Sequence, residues 1–195
     1  KVQIDFENIL NKCEEIINTA SYDELVKKID KAKKIYLFGN GGLHYVSSHM
    51  ATDMTRLIPD KVVFSYDSVG FITSSANDYG FNELYVRWLE TTSVVDVKND
   101  CLVIGMACSG NSVNVVKASH WANENKFETF LISGQKSEIL KNNISELVFN
   151  CEYFHTVEVL SMMIFYDMIH QTDNKCPSIR GEKNRLKDSE LRVLA

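Results

Sequence analysis

The sequence predicts an α/β fold built on a doubly wound parallel sheet, and three observations carry that expectation. Short, continuously apolar runs recur along the 195 residues, stretches of helical periodicity alternate with them, and two of the runs end in polar, glycine-containing loops.

The elements follow in order. Phe6, Ile9, Leu10, Cys13, Ile16 and Ile17 recur at spacings of three and four, with Glu7, Asn11, Lys12 and Glu15 between them, which predicts a helix with one apolar stripe. A shorter helix is expected over 23–32. Ile35-Tyr36-Leu37-Phe38, closed by Gly39-Asn40-Gly41-Gly42, reads as a buried parallel strand. Further strands are expected at Val62-Val63-Phe64, Leu102-Val103-Ile104-Gly105-Met106, Thr129-Phe130-Leu131-Ile132 and Leu147-Val148-Phe149. Helices are expected over 44–58, 82–92, 112–125 and 156–171, with Pro59 ending the first of them. In the last, Val157, Val159, Leu160, Met162, Met163, Ile164, Phe165, Tyr166, Met168 and Ile169 cover nearly the whole circumference, which predicts burial on all sides within a subunit interface. Met162, Met163 and Met168 need no further explanation, since methionine fills irregular gaps in cores. Beyond Gln171 the chain turns polar, and Lys175, Arg180, Lys183, Arg185 and Lys187 belong to a tail or short docking helix. The expected organisation is a single domain: N-terminal helices over 1–33 packing on the core and oligomer interface, the α/β unit over 34–171 and a polar tail over 172–195.

Composition narrows the function. With 45% hydrophobic and 24% charged residues, the chain is long enough to bury one substantial core. Lys+Arg 21 against Asp+Glu 26 gives a net charge of -5, which removes the phosphate attraction on which nucleic-acid binders depend. Cys13, Cys101, Cys108, Cys151 and Cys176 form no Cys-x-x-Cys pair, and a reducing cytoplasm is expected. No apolar run approaches the roughly 18 residues of a membrane span. With Lys at position 1, a trimmed leader stays open.

Gly39-Asn40-Gly41-Gly42 and Ser109-Gly110-Asn111-Ser112 each follow a strand and open a helix. In an open α/β sheet, ligands collect at such carboxyl ends. Free backbone N–H groups, the helix dipole and the small side chains of Ser109, Asn111 and Ser112 suit a phosphate dianion. A purely local explanation, a turn with a helix N-cap, is the alternative. A dinucleotide fingerprint would need glycine where His44 stands, and the Gly-Lys-Ser/Thr ending of a nucleotide P-loop is missing.

Phe38-Gly39-Asn40-Gly41-Gly42, Ala76-Asn77-Asp78-Tyr79-Gly80-Phe81 and Ser109-Gly110-Asn111-Ser112, in that order and spacing, resemble the sedoheptulose-7-phosphate (phosphoheptose) isomerase branch of the SIS (sugar isomerase) domains. The resemblance spans about residues 4–171. It implies a flavodoxin-like fold and a homotetramer with sites at subunit interfaces. It also implies a sugar-phosphate ligand, held at its phosphate by Cys108, Ser109, Asn111 and Ser112. Asn40, Gly41 and Gly42 would line the sugar, and Asp78 would contact its hydroxyls. Two serines of the family pattern are replaced, by Leu43 and Ala107, and each lost hydroxyl is expected to cost roughly 1 kcal/mol of affinity.

Aldose–ketose isomerisation through an enediol needs one group that carries a proton between C1 and C2 and another that manages the oxygens. The resemblance assigns these to a glutamate and a histidine. The glutamate matches Asp53, one methylene short, with His49 four residues before it on the same helix face. Anchored on Glu158, the histidine falls on Phe165, and a ligand-binding glutamine falls on Val157. Some relatives hold zinc with these four side chains; with only His49 and Asp53 left, no metal and no cofactor are expected. His44, beside the glycine loop, is a candidate replacement, and His155 and His170 are others, although surface roles explain all three as well. Three functions follow: an isomerase with Asp53 and one histidine as proton carriers, a sugar-phosphate-binding regulatory module without chemistry, or a structural partner in a hetero-oligomer.

Overall fold

The structure, a computed structural model, describes residues 5–178; Arg180, Lys183, Arg185 and Lys187 of the expected tail lie outside them. Five strands form an all-parallel sheet: β1 (Lys34–Gly39), β2 (Val62–Ser65), β3 (Cys101–Ala107), β4 (Glu128–Ser133) and β5 (Ser145–Val148). Seven helices complete the fold: α1 (Phe6–Ile17), α2 (Ala20–Lys31), α3 (Gly42–Leu57), α4 (Val69–Tyr79), α5 (Leu84–Thr92), α6 (Val113–Glu124) and α7 (Phe154–Gln171). The strand order β2-β1-β3-β4-β5 is the flavodoxin-like one, whose direction reverses between β1 and β3.

The period of two along the strands distributes the core. Ile35 and Leu37 of β1, with Leu102, Ile104 and Met106 of β3, face a core shared with residues of α1, α2, α3 and α7. Tyr36 and Phe38, with Val103 and Ala107, face the other side, where Tyr85 and Trp88 of α5 and Val115 and Ala118 of α6 pack on them. Phe38 sits 4.7 Å from Tyr85, ring centre to ring centre, and edge-on to Trp88. Full burial of one such side chain contributes about 2–3 kcal/mol. At Gly105 a Cβ would press within 2.9 Å of Val115 and 3.0 Å of Ser119, so this glycine lets α6 lie close against the central strand.

Two expectations need correction. The segment Val69–Tyr79, read without an element, is helix α4; its Ser, Thr, Asn and Gly content hides it, and the Ser68 hydroxyl caps it by accepting from the Phe71 amide. The stretch 82–92 begins with a 3-10 turn at Phe81–Glu83 before α5. Within one chain, helix α7 buries Thr156, Val157, Leu160, Ser161, Ile164, Phe165, Met168 and Ile169, while Met162, Met163 and Tyr166 are half-buried and Val159 is exposed. Pro59 acts as expected: Ile58 before it leaves helical geometry and closes α3.

Candidate functional site

The reversal of strand order puts the carboxyl ends of β1 and β3 side by side, with Gly39 paired to Met106. Asn40, Gly41 and Gly42 leave the first strand, and Cys108 to Ser112 leave the second. The two loops are tied together. The Asn40 and Asn114 carboxamides exchange hydrogen bonds of 2.9 Å in both directions, and Asn114 also accepts from the Val115 amide. The Tyr85 hydroxyl donates to the Gly39 carbonyl at 2.5 Å and lies 3.1 Å from Asn40 Oδ1. Asn40, expected to line a sugar, is thus also a strut of the loop, and Asn114, only 2% exposed, is its unforeseen partner.

The second loop is braced from β4. Gly110 has a φ of +72°, and a Cβ there would meet the backbone of Gln135 and Ser137, so glycine is required on both counts. The Asn111 side-chain oxygen accepts from the Glu138 amide at 2.9 Å and from the Ser137 hydroxyl at 3.3 Å; the Ser109 hydroxyl accepts from the Asn111 amide. Ser112 occupies the N-cap position of α6, yet its side chain makes no capping hydrogen bond. At the start of α3 the N-cap residue is Gly41, which has no side chain to cap with. Helices α5 and α7 also start without a side-chain cap, whereas α1, α2 and α4 are capped by Asp5, Thr19 and Ser68. What sets α3 and α6 apart from the other uncapped helices is their place, since both open starts stand at the switch point between β1 and β3.

Below the glycine loop, α3 and α7 enclose a groove of about 530 Å³ lined by Gly42, Tyr45, Val46, His49, Glu158, Val159 and Met162. The Glu158 carboxyl lies over Gly42 in the space a Cβ would fill. Burial first, then the charge of Glu158, push the Cys108 thiol up from its ordinary range.

His49 is half-exposed at the groove wall. Its Nε2 lies 2.9 Å from the Tyr166 hydroxyl, which in turn donates to Asp53 Oδ2 at 2.8 Å. Asp53 is 8% exposed, and its other oxygen accepts from Arg56 at 2.9 Å. Burial first, then the bond and charge of Asp53, push the Tyr166 phenol up to about 12.

His49 and Asp53 are thus brought together, whereas His44 stands apart, its Nε2 3.4 Å from Asp67 Oδ1. Asp78 lies in the last turn of α4, bonded by neighbouring Asn77. Phe165 and Val157 are fully buried in the core, and Tyr166, one residue on, reaches the α3 pair instead. The last helix therefore does supply a protic group, from a position 100° around its axis. Leu43 and Ala107, which replace two serines of the family pattern, are likewise core residues. The polar set does not fit a zinc site: both Asp53 oxygens and His49 Nε2 are engaged, two of the four expected donors are core hydrophobes, and no metal-sized group of three donors occurs among the described residues.

Among curated proteins, the chain is 29% identical over 140 residues to the phosphoheptose isomerase of Buchnera aphidicola, covering 69% of this chain and 70% of that one. It is 34% identical over 122 residues to the phosphoheptose isomerase of Helicobacter pylori, covering 60% of this chain and 62%, less than two thirds, of the relative. Among solved structures, a phosphoheptose isomerase from Francisella tularensis superposes with a TM-score of 0.73 at 16% identity, covering 86% of this chain and 94% of the other. A scan against protein-family models gave no match.

Proposed function

We propose that the chain, which is similar to phosphoheptose isomerases in sequence and to SIS phosphosugar isomerases in fold, binds a phosphorylated sugar at the β1–β3 switch point and interconverts its aldose and ketose forms. The observation that carries this reading is the open start of α6. Ser112 stands where a capping serine belongs but keeps its hydroxyl free, which favours a ligand over a local structural purpose.

The phosphate is held by the first amides of α6 and the hydroxyls of Ser109 and Ser112. The sugar extends past Gly41 and Gly42 into the groove, where it meets His49 and Glu158. These two supply the division of labour an enediol requires. His49 removes the proton from C2 of the aldose, the C2–H electrons form the C1=C2 bond, and the same proton returns at C1 of the ketose. Glu158 passes the hydroxyl proton between O2 and O1. Asp53, shared between Arg56 and Tyr166, is a fixed charge behind His49 rather than the base itself. The exposed Val159 and the half-buried Met162 and Met163 beside the groove support a homotetramer in which a neighbouring subunit closes each site.

A second reading, a sugar-phosphate-binding regulatory module, is favoured by the burial of Phe165 and Val157. A thermal-shift screen of C3 to C7 sugar phosphates, followed by NMR in deuterated water, separates the two. Stabilisation with deuterium entering C1 or C2 is the expected result. Stabilisation without exchange establishes the regulatory module, and no stabilisation by any sugar phosphate refutes both.

A further inference from the structure

The hydrogen-bond chain behind His49 dictates more than its position. A phenol has one proton to give. At Tyr166 that proton goes to Asp53, a carboxylate 2.8 Å away whose charge makes it the stronger acceptor. The phenol is held protonated far above neutral pH by burial and by Asp53. Its oxygen therefore meets His49 Nε2, 2.9 Å off, as an acceptor only. A neutral imidazole carries one N–H, and here it must lie on Nε2.

We infer that Tyr166 is a positioning residue, which holds neutral His49 in its Nε2–H form and leaves Nδ1 as the proton-accepting atom in the groove. The inference rests on the reading of this groove as a sugar-phosphate site. The buried carboxylate, the phenol and the imidazole act in series, and the carboxylate also favours the imidazolium that forms when C2 gives up its proton. This is the orienting logic of a carboxylate behind a catalytic histidine, with a phenol interposed. Arg56, on the far side of Asp53, holds that carboxylate in place through its other oxygen at 2.9 Å.

The test uses the full chain, labelled with nitrogen-15, and long-range proton–nitrogen spectra in which His49 is assigned by its loss in His49→Gln. The expected wild-type spectrum shows Nε2 protonated, with a slowly exchanging proton close to the Tyr166 ring. In Tyr166→Phe that proton exchanges freely and the Nδ1–H form becomes detectable. The same variant is expected to lose on the order of 10- to 100-fold in kcat, with KM changed by less than about twofold, because the substrate does not touch Tyr166. Wild-type His49 protonated on Nδ1 overturns the inference whether or not Tyr166→Phe folds; so do spectra and kcat that Tyr166→Phe leaves unchanged. If no sugar phosphate is turned over, the isomerase reading fails by itself, and the protonation state of Nε2 still decides this one.

Discussion

Replacing Gly42 by alanine separates the stability of the fold from the chemistry of the groove. A Cβ built at this position falls 2.5 Å from Glu158 Oε2 and closer still to Cδ and Oε1, while no backbone atom stands among its nearest contacts. The carboxyl is the far end of a flexible side chain, so it gives way and the helix does not. Restoring ordinary contact requires Glu158 to withdraw by about an ångström, and misplacement on that scale costs about 100-fold in rate. The backbone tells the opposite story. Gly42 is the first residue of α3, without a positive φ, and alanine in its place stabilises by at most about 1 kcal/mol, or about 2–4 °C in Tm for a chain of this size. The assay is proton exchange at C1 or C2 in deuterated water beside a thermal melt. The expected Gly42→Ala protein melts at or slightly above the wild-type temperature and exchanges about 100-fold more slowly. A variant that exchanges at the wild-type rate would refute the assignment of Glu158 to the oxygen protons. One that melts several degrees lower would refute the claim that the carboxyl alone absorbs the overlap.

Ser112→Ala is expected to weaken sugar-phosphate binding about fivefold, the loss of one hydrogen bond near 1 kcal/mol, with Tm within about 2 °C of wild type because the hydroxyl caps nothing. Calorimetric titration checks the first and a melt the second; unchanged affinity counts against the phosphate loop. Asn114→Ala breaks both bonds to Asn40 in a position almost closed to water, and about 2–3 kcal/mol of stability and 5–10 °C of Tm are expected to be lost in a thermal melt. Elemental analysis of the purified protein is expected to find no stoichiometric zinc, since the Asp53 and His49 atoms are already engaged; one zinc per chain contradicts that arrangement.

The parts of the fold legible in the sequence were those written in local pattern. The apolar runs of β1 and β3 end in the loops that the strand order brings side by side, and Pro59 stops α3 where it should. Helix α4 was not legible, because only Ser75 of its eleven residues is buried and its residue types favour turns as readily as helix. Within the site, His49 and Asp53 were named by the family resemblance, and a spacing of four on one helix sets them on the same face. Tyr166 was missed because its role depends on how α7 is rotated against α3, which the nearly continuous apolar sequence of α7 does not specify. A register copied from relatives pointed to Phe165, which turns into the core. The pairing of Asn40 with Asn114 joins residues 74 positions apart and leaves no local trace.

The pairing of Gly39 with Met106 also bears on the order in which the molecule comes together. Strands β1 and β3 are neighbours in the sheet but are separated in the chain by α3, β2, α4 and α5, so their alignment closes a long loop before any contact between them rewards it. During synthesis, a nascent chain that has emerged only through α5 holds the glycine loop and His49 but lacks every residue that braces them from β3 and α6. Recognition of a ligand is therefore acquired late, after the central strand has docked, and excess sugar phosphate added to a refolding chain is expected to slow unfolding without speeding the early steps of folding.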